Sequence, residues 1–85
     1  SANQVFDYVE LGNNFSIYEI APLPEWIGHS IRDVNARVKY NANIIGIKAE
    51  NGMELMPNAE YVFRREEHLM IIGHQRDMEK ILKKL

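Results

Sequence analysis

The chain has 85 residues, which fits one domain, since domains typically contain about 100–200 residues. Hydrophobic residues make up 46% and charged residues 26% of it, a composition typical of globular rather than disordered proteins. Cysteine is absent from the sequence, which excludes disulfides, thiolate metal sites and cysteine nucleophiles. Ten basic and twelve acidic residues give a formal net charge of −2, which argues against nucleic-acid binding driven by overall charge.

The first part of the chain predicts extended structure. We interpret residues 1–3 as a linker end or cloning remnant, and residues 1–11 as a linker or an edge strand, with the tail of an upstream helix as a further interpretation of the same segment. The domain proper is predicted over residues 12–85. Gly12-Asn13-Asn14 is typical of a turn and Phe15–Ile20 of a strand. Two prolines follow, and proline cannot continue a central strand because it has no N–H to donate.

One helix is predicted after these prolines. Ser30, with Asp33 three positions later, resembles a capping box, in which the hydroxyl accepts a hydrogen bond from a free backbone N–H. Apolar residues then recur at spacings of four, three and four, which predicts one helical stripe closed by Tyr40-Asn41-Ala42. The residues of this stripe are Ile27, Ile31, Val34 and Val38.

A hairpin is predicted next. The β-branched run in Asn43–Ala49 is typical of a strand, and Asn51-Gly52 between two apolar runs indicates a tight turn whose central residues both need positive φ. Met53–Met56 is the predicted partner strand, which Pro57 ends. Gly46, inside the first strand, predicts a bulge or the close approach of another backbone or of a ligand.

The last part of the chain predicts a central strand and a helix. Leu69–Ile72 is unbroken apolar sequence, which favours a strand covered on both faces and ended by Gly73. Gln75–Leu85 has one apolar side and lysines near its C-terminus, where the helix dipole favours them. The predicted fold class is α+β, a small, mainly antiparallel sheet with two helices in the order β–helix–β–hairpin–β–helix.

The sequence does not predict an enzyme, a metal site or a cofactor. Its histidines, His29, His68 and His74, include no pair at the i, i+4 spacing of helical metal ligands. Adjacent Glu66 and Glu67 point apart on a strand-entry turn, and the five glycines are too dispersed for a phosphate loop. No apolar run approaches the about 18 residues of a membrane span and no signal peptide is recognisable, so we expect a cytoplasmic protein without direct membrane insertion.

Several short motifs, in order and in register from Phe15 to Leu85, resemble a known family. They are Ile27–Ile31, Asn43–Lys48, Pro57 and Glu66–Gly73. The chain resembles the TrkA-C or RCK-C domain, the C-terminal subdomain of potassium-transport regulators, and within it the Ktr gating subunits. The resemblance implies a non-catalytic, homodimeric regulatory domain, and the net charge of −2 predicts no nucleic-acid partner. It also implies an upstream nucleotide-binding RCK-N domain and a place beneath a membrane potassium channel or transporter.

In the Ktr branch the resemblance further implies a receptor for cyclic di-AMP on the dimer two-fold axis. The positions matching the family's ligand motif are Ile31, Asn35, Ala36, Arg37, Asn43, Ile44 and Pro57. Arg37 would bind a phosphate through its guanidinium fork and Asn43 would add an amide. Ile31, Ile44 and Pro57 would contact the adenine faces. Asn35 stands where the family has Asp, which loses a charge that would orient Arg37, and Ala36 replaces a larger aliphatic residue.

Two other interpretations stay open. The chain could be a structural dimerisation module of a transporter or transcriptional regulator without a nucleotide ligand, with the aliphatic residues between Ile27 and Ile47 at the interface and Trp26 packed beside it. It could also be a metal- or anion-responsive domain. The residues considered for that role are His29, Glu66, Glu67 and His68.

Overall fold

The computed structural model describes residues 4–85, so the interpretation of residues 1–3 lies outside the described residues. Five strands form one antiparallel sheet in the order β1-β2-β5-β3-β4. Helices pack against one face of it, and the predicted α+β class with a small antiparallel sheet is confirmed. The elements are β1 Val5–Gly12, β2 Phe15–Ile20, a 3₁₀ turn Pro24–Trp26, α1 Ile31–Val34, α2 Ala36–Tyr40, β3 Asn43–Ala49, β4 Gly52–Leu55, β5 His68–His74 and α3 Gln75–Leu82.

The segment Val5–Gly12 is an edge strand, so its interpretation as a helix tail was wrong. It pairs with β2 through a tight turn in which Gly12 lies opposite Phe15. The two central residues of that turn, Asn13 and Asn14, have φ of 54° and 65°. Asparagine adopts this left-handed region more readily than most residues, and the predicted turn is confirmed.

The second hairpin forms as predicted, but its turn is centred one residue earlier. Ala49 pairs with Gly52, so Glu50 and Asn51 are the central residues, and of these turn positions only Gly52 has positive φ, at 138°. The strand register, rather than the Asn-Gly pair, therefore sets the turn. Gly46 lies at a register irregularity against β5, and a Cβ placed on it would come within 3.3 Å of side-chain atoms of Leu55 and Met70. The predicted bulge is confirmed, whereas the atoms that approach Gly46 most closely belong to side chains rather than to a backbone.

The single helix predicted after Ser30 is two short helices. The Ser30 side chain accepts a hydrogen bond from the Asp33 N–H at 3.1 Å, which confirms the N-cap. The helix is interrupted at Asn35, which has φ 52° and ψ 51° and changes the chain direction before α2. The apolar stripe is consequently not continuous, since Val34 is buried but Val38 is 78% exposed.

Strand β5 is central, but its two faces differ. Leu69, Ile71 and Gly73 are buried on the side of the helices, whereas Met70 and Ile72 on the opposite side are only half-buried. Coverage on both faces was therefore a wrong prediction for the single chain, because the helices occupy one face only. The strand also continues one residue past Gly73, to His74.

Helix α3 closes the hydrophobic core. Its Met78 and Ile81 are fully buried, as the sequence pattern predicted, although the helix ends at Leu82 rather than Leu85. Trp26 is 3% exposed, with its ring centroid 5.7 Å from that of Phe63, which confirms it as a packing residue. The other buried apolar residues are Ile20, Leu23, Val34, Ala36, Ala42, Ile47, Phe63, Leu69 and Ile71.

A buried acid lies on the sheet face opposite the helices. The Glu19 side chain is 8% exposed, and its carboxylate lies 2.7 Å from Nδ1 of His68 and 3.5 Å from Nζ of Lys48. The imidazole of His68 stacks in parallel on the ring of Phe6, with 3.8 Å between centroids. This cluster links the edge strand β1 to the centre of the sheet.

Candidate functional site

A small cleft opens at one end of the sheet, where β2 begins, β5 ends and β3 begins. Its volume is about 200 Å³. Two of the predicted ligand residues, Arg37 of α2 and Asn43 of β3, line it together. The other lining residues are Phe15, Asn41, Ala42, Ile72 and Gly73.

The end of α2 holds Arg37 and Asn43 close to one another. Asn41 terminates the helix in the left-handed conformation, and its N–H donates to the Arg37 carbonyl at 3.1 Å. The Asn41 side chain donates to Asp77 of α3 at 3.3 Å, which joins the helix end to the neighbouring helix. Ala42 is buried. Asn43 follows it as the first residue of β3 and lies at the rim of the cleft.

The cleft presents unsatisfied donors to solvent. Arg37 is exposed, and its guanidinium makes no ion pair or side-chain hydrogen bond within residues 4–85. Asn43 is also exposed and its amide makes no side-chain hydrogen bond in this part of the chain. A guanidinium that lacks an internal carboxylate partner keeps all its donors for an external anion, and phosphate matches their fork geometry.

The other five predicted ligand residues do not line this cleft. Ala36 is buried in the core, and Ile31 and Ile44 are half-buried and packed against it. Asn35 is exposed at the junction of the two helices, and Pro57 is half-buried beyond β4. Within one chain Ala36, Ile31 and Ile44 are thus packing residues, and their contact with a ligand stays a prediction.

The sequence reasoning missed the sheet residues of the cleft. Phe15 is 41% exposed and meets the His74 ring edge-on, with 5.2 Å between centroids. A Cβ on Gly73 would lie 3.1 Å from Sδ of Met78, so this glycine permits α3 to pack closely beside the cleft. Asn41 could have been found from sequence, because asparagine at the end of a helix often adopts the left-handed conformation. No local pattern around Phe15 or Ile72 indicates that they line a cleft.

The residues considered for metal or anion binding have other surroundings. His68 contacts Glu19, Glu67 accepts a hydrogen bond from the Tyr61 hydroxyl, and His29 lines a separate cleft. Across residues 4–85 there is no group of three or more His, Asp or Glu side chains placed to hold a metal ion. In the same residues, no helix combines the length and the apolar character of a membrane span.

Comparison with known proteins agrees with the family predicted from the motifs. The TrkA-C domain matches residues 15–85. The chain belongs to the TrkA-C family. This TrkA-C domain is 32% identical over 80 residues to Ktr system potassium uptake protein A of Bacillus subtilis (strain 168), a match that covers 94% of this chain and 36% of that protein.

Two further comparisons define its extent and its fold. Ktr system potassium uptake protein C of the same organism is 32% identical over 84 residues, a match that covers 99% of this chain and 38% of that protein. The TrkA-C domain therefore spans little more than a third of the length of either curated relative. The RCK C domain of potassium transport protein KtrA, solved in complex with cyclic di-AMP, matches with a TM-score of 0.76 and 30% identity over 86% of each chain. The RCK_C dimer of S. agalactiae BusR, also with cyclic di-AMP, shares the fold with a TM-score of 0.69 and 23% identity over 80% of this chain and 92% of that one.

Proposed function

We propose that this TrkA-C domain is a non-catalytic regulatory module of a potassium uptake system and that a homodimer of it binds cyclic di-AMP on its two-fold axis. The observation that carries the proposal is the pairing of Arg37 and Asn43 in one cleft, with the guanidinium unpaired within residues 4–85. The potassium uptake relatives and the KtrA domain solved with cyclic di-AMP support the same assignment.

The size of the cleft favours a site completed by a second copy. Its volume of about 200 Å³ lies below the roughly 300–1,000 Å³ typical of small-molecule pockets, and cyclic di-AMP is a large dinucleotide. This ligand is two-fold symmetric, so an isologous dimer can present the same groups to each half of it. Each protomer would bind one phosphate through Arg37 and Asn43, with Ile31, Ile44 and Pro57 offered to the bases from the partner surfaces.

Regulation would follow from differential binding to two dimer geometries. A ligand shared by two protomers stabilises the arrangement in which both half-sites face it, and the population shifts toward that arrangement. In the complete regulator this shift would reach the upstream nucleotide-binding domain and the membrane transporter subunit. The domain would then act in the cytoplasm, peripheral to the membrane.

Calorimetric titration of the domain with cyclic di-AMP, cyclic di-GMP and ATP tests the proposal. We expect one cyclic di-AMP per dimer, and an at least tenfold weaker Kd for Arg37→Ala, since a hydrogen bond to a charged group contributes about 1.5–3 kcal/mol. Arg64→Ala is the matched control, because Arg64 is also exposed, makes no side-chain ion pair in the described residues and does not line the cleft. One ligand per monomer, or equal losses in both variants, would contradict the assignment.

A second candidate, a purely structural dimerisation module, is favoured by the uncovered side of β5. Met70 and Ile72 are half-buried there, and Phe15 and Leu55 are exposed on the same face. A second copy covering this face would stabilise a dimer through apolar burial alone. Sedimentation analysis distinguishes the two functions, since a dimer that persists while none of the three nucleotides binds would support the structural one.

A further inference from the structure

A second cleft, distinct in chemistry from the Arg37 cleft, lies where the edge hairpin extends beyond the helices. It is lined by Tyr8 of β1 and Tyr18 of β2, which are register partners with 5.3 Å between ring centroids and 35° between planes. The turn Asn13-Asn14 and Gln75 of α3 also line it, and the Gln75 N–H donates to the Asn14 carbonyl at 2.7 Å. The volume is about 550 Å³, within the range of small-molecule pockets.

The charge in this cleft is negative and has no internal counter-ion. Among the described residues that line it, Glu10 is the charged one. The Tyr8 hydroxyl donates to the Glu10 carboxylate at 2.6 Å, and Glu10 makes no ion pair within residues 4–85. Glu79 of α3, which is likewise without an ion pair there, adds to the negative field at Tyr18.

Both phenols stay neutral in this surrounding, so the cleft offers aromatic faces beside carboxylates. The hydrogen bond to Glu10 raises the pKa of Tyr8 above its ordinary value. Burial raises the pKa of Tyr18, and the charges of Glu10 and Glu79 raise it further. The electron-rich faces of tyrosine rings attract a cation within about 6 Å of the ring centroid, and a nearby carboxylate adds Coulomb attraction.

We propose that this cleft binds a small organic cation, with its alkylammonium group against the faces of Tyr8 and Tyr18 and with Glu10 as its counter-ion. A hard divalent cation fits less well, because calcium takes about six to eight oxygen ligands and the cleft supplies one carboxylate. An anion would meet the field of two glutamates. The proposal does not depend on cyclic di-AMP, since that ligand is assigned to the Arg37 cleft.

The test is an NMR titration of the 85-residue chain that follows the ring resonances of Tyr8 and Tyr18. Tetramethylammonium chloride and putrescine are added at constant ionic strength, with potassium chloride as the reference salt. We expect saturable shifts with the organic cations and none with potassium chloride. Shifts that do not saturate, or that potassium chloride reproduces, would overturn the proposal.

Four variants separate the roles of charge and ring. Tyr8→Leu should weaken binding about two- to fivefold, the range for a cation–π contact at an exposed site. Glu10→Gln should weaken it by up to about fivefold, the range for an exposed ion pair. Tyr8→Phe retains the ring and should stay within about twofold of the unaltered chain, which keeps the test decisive if Tyr8→Leu fails to fold. Glu50→Gln, in the opposite hairpin turn, is the charge control. Equal effects of Glu10→Gln and Glu50→Gln would refute the assigned counter-ion.

Discussion

Replacing Glu19 by glutamine removes the charge of a buried carboxylate on the sheet face opposite the helices. This carboxylate contacts His68 and Lys48. An ionised carboxylate only accepts hydrogen bonds, so this contact is a hydrogen bond when Nδ1 of His68 carries the hydrogen. The 2.7 Å separation is that of a strong hydrogen bond, whereas the 3.5 Å separation from Lys48 is at the limit of contact. The substitution preserves side-chain shape, so its effect isolates the charge.

The expected loss of stability is about 1–2 kcal/mol. The glutamine amide oxygen can still accept a hydrogen bond from Nδ1 of His68, so the loss is the difference between a hydrogen bond to a charged group, about 1.5–3 kcal/mol, and a neutral one, about 0.5–1.5 kcal/mol. The half-exposed Lys48 adds less than about 1 kcal/mol because water screens its charge. In a domain of this size 1 kcal/mol shifts Tm by about 4–8 °C. We therefore expect Glu19→Gln to lower Tm by roughly 4–16 °C, measured by circular dichroism at fixed protein concentration.

A matched control and a double-mutant cycle decide whether the reasoning holds. Glu54→Gln changes an exposed strand glutamate that has no ion pair in residues 4–85 and should shift stability by no more than about 0.5 kcal/mol. His68→Gln should be non-additive with Glu19→Gln, because both weaken the same charged contact. Additive losses in the double variant, or a Glu19→Gln protein as stable as the control, would refute the stated origin of the stability.

Three further outcomes are expected. Asn35→Gly should leave stability nearly unchanged while Asn35→Val lowers it by about 1–2 kcal/mol in urea denaturation, because Asn35 has φ of 52° and a β-branched side chain is strained there. Gly46→Val should lower the free energy of unfolding by about 1–3 kcal/mol, since even a Cβ comes within 3.3 Å of Leu55, and an unchanged value would contradict the close approach. The pKa values of Tyr8 and Tyr18 are raised above the ordinary value of 10.0, so both phenols should ionise at higher pH in the folded than in the unfolded chain. The stability that this difference contributes is fully present below the pKa of tyrosine in the unfolded chain and is lost as pH rises through the pKa in the folded chain. Absorbance at 295 nm during alkaline titration, compared with Tyr8→Phe, measures this shift.

Local chemistry made several parts of this domain predictable. The turn at Asn13-Asn14 and the cap at Ser30 depend on residues that lie within four positions of one another. The buried side of α3, with Met78 and Ile81, follows from a 3.6-residue period within a single element. The pairing of Arg37 with Asn43 is also nearly local, because six positions and one helix end separate them.

The sequence alone thus determined the identity of most elements, the family, and Arg37 and Asn43 among the three polar residues of the cleft, since each depends on short-range pattern or on motifs in register. Only the tertiary structure decided which sheet residues complete the cleft. Phe15 and Ile72 reach it because antiparallel pairing sets β2 against β5 and β5 against β3. The β2–β5 partners lie between 49 positions (Ile20 and Leu69) and 59 positions (Phe15 and His74) apart in the chain. The break at Asn35 and the open face of β5 were decided in the same way, because burial against distant elements overrides the periodicity within one segment.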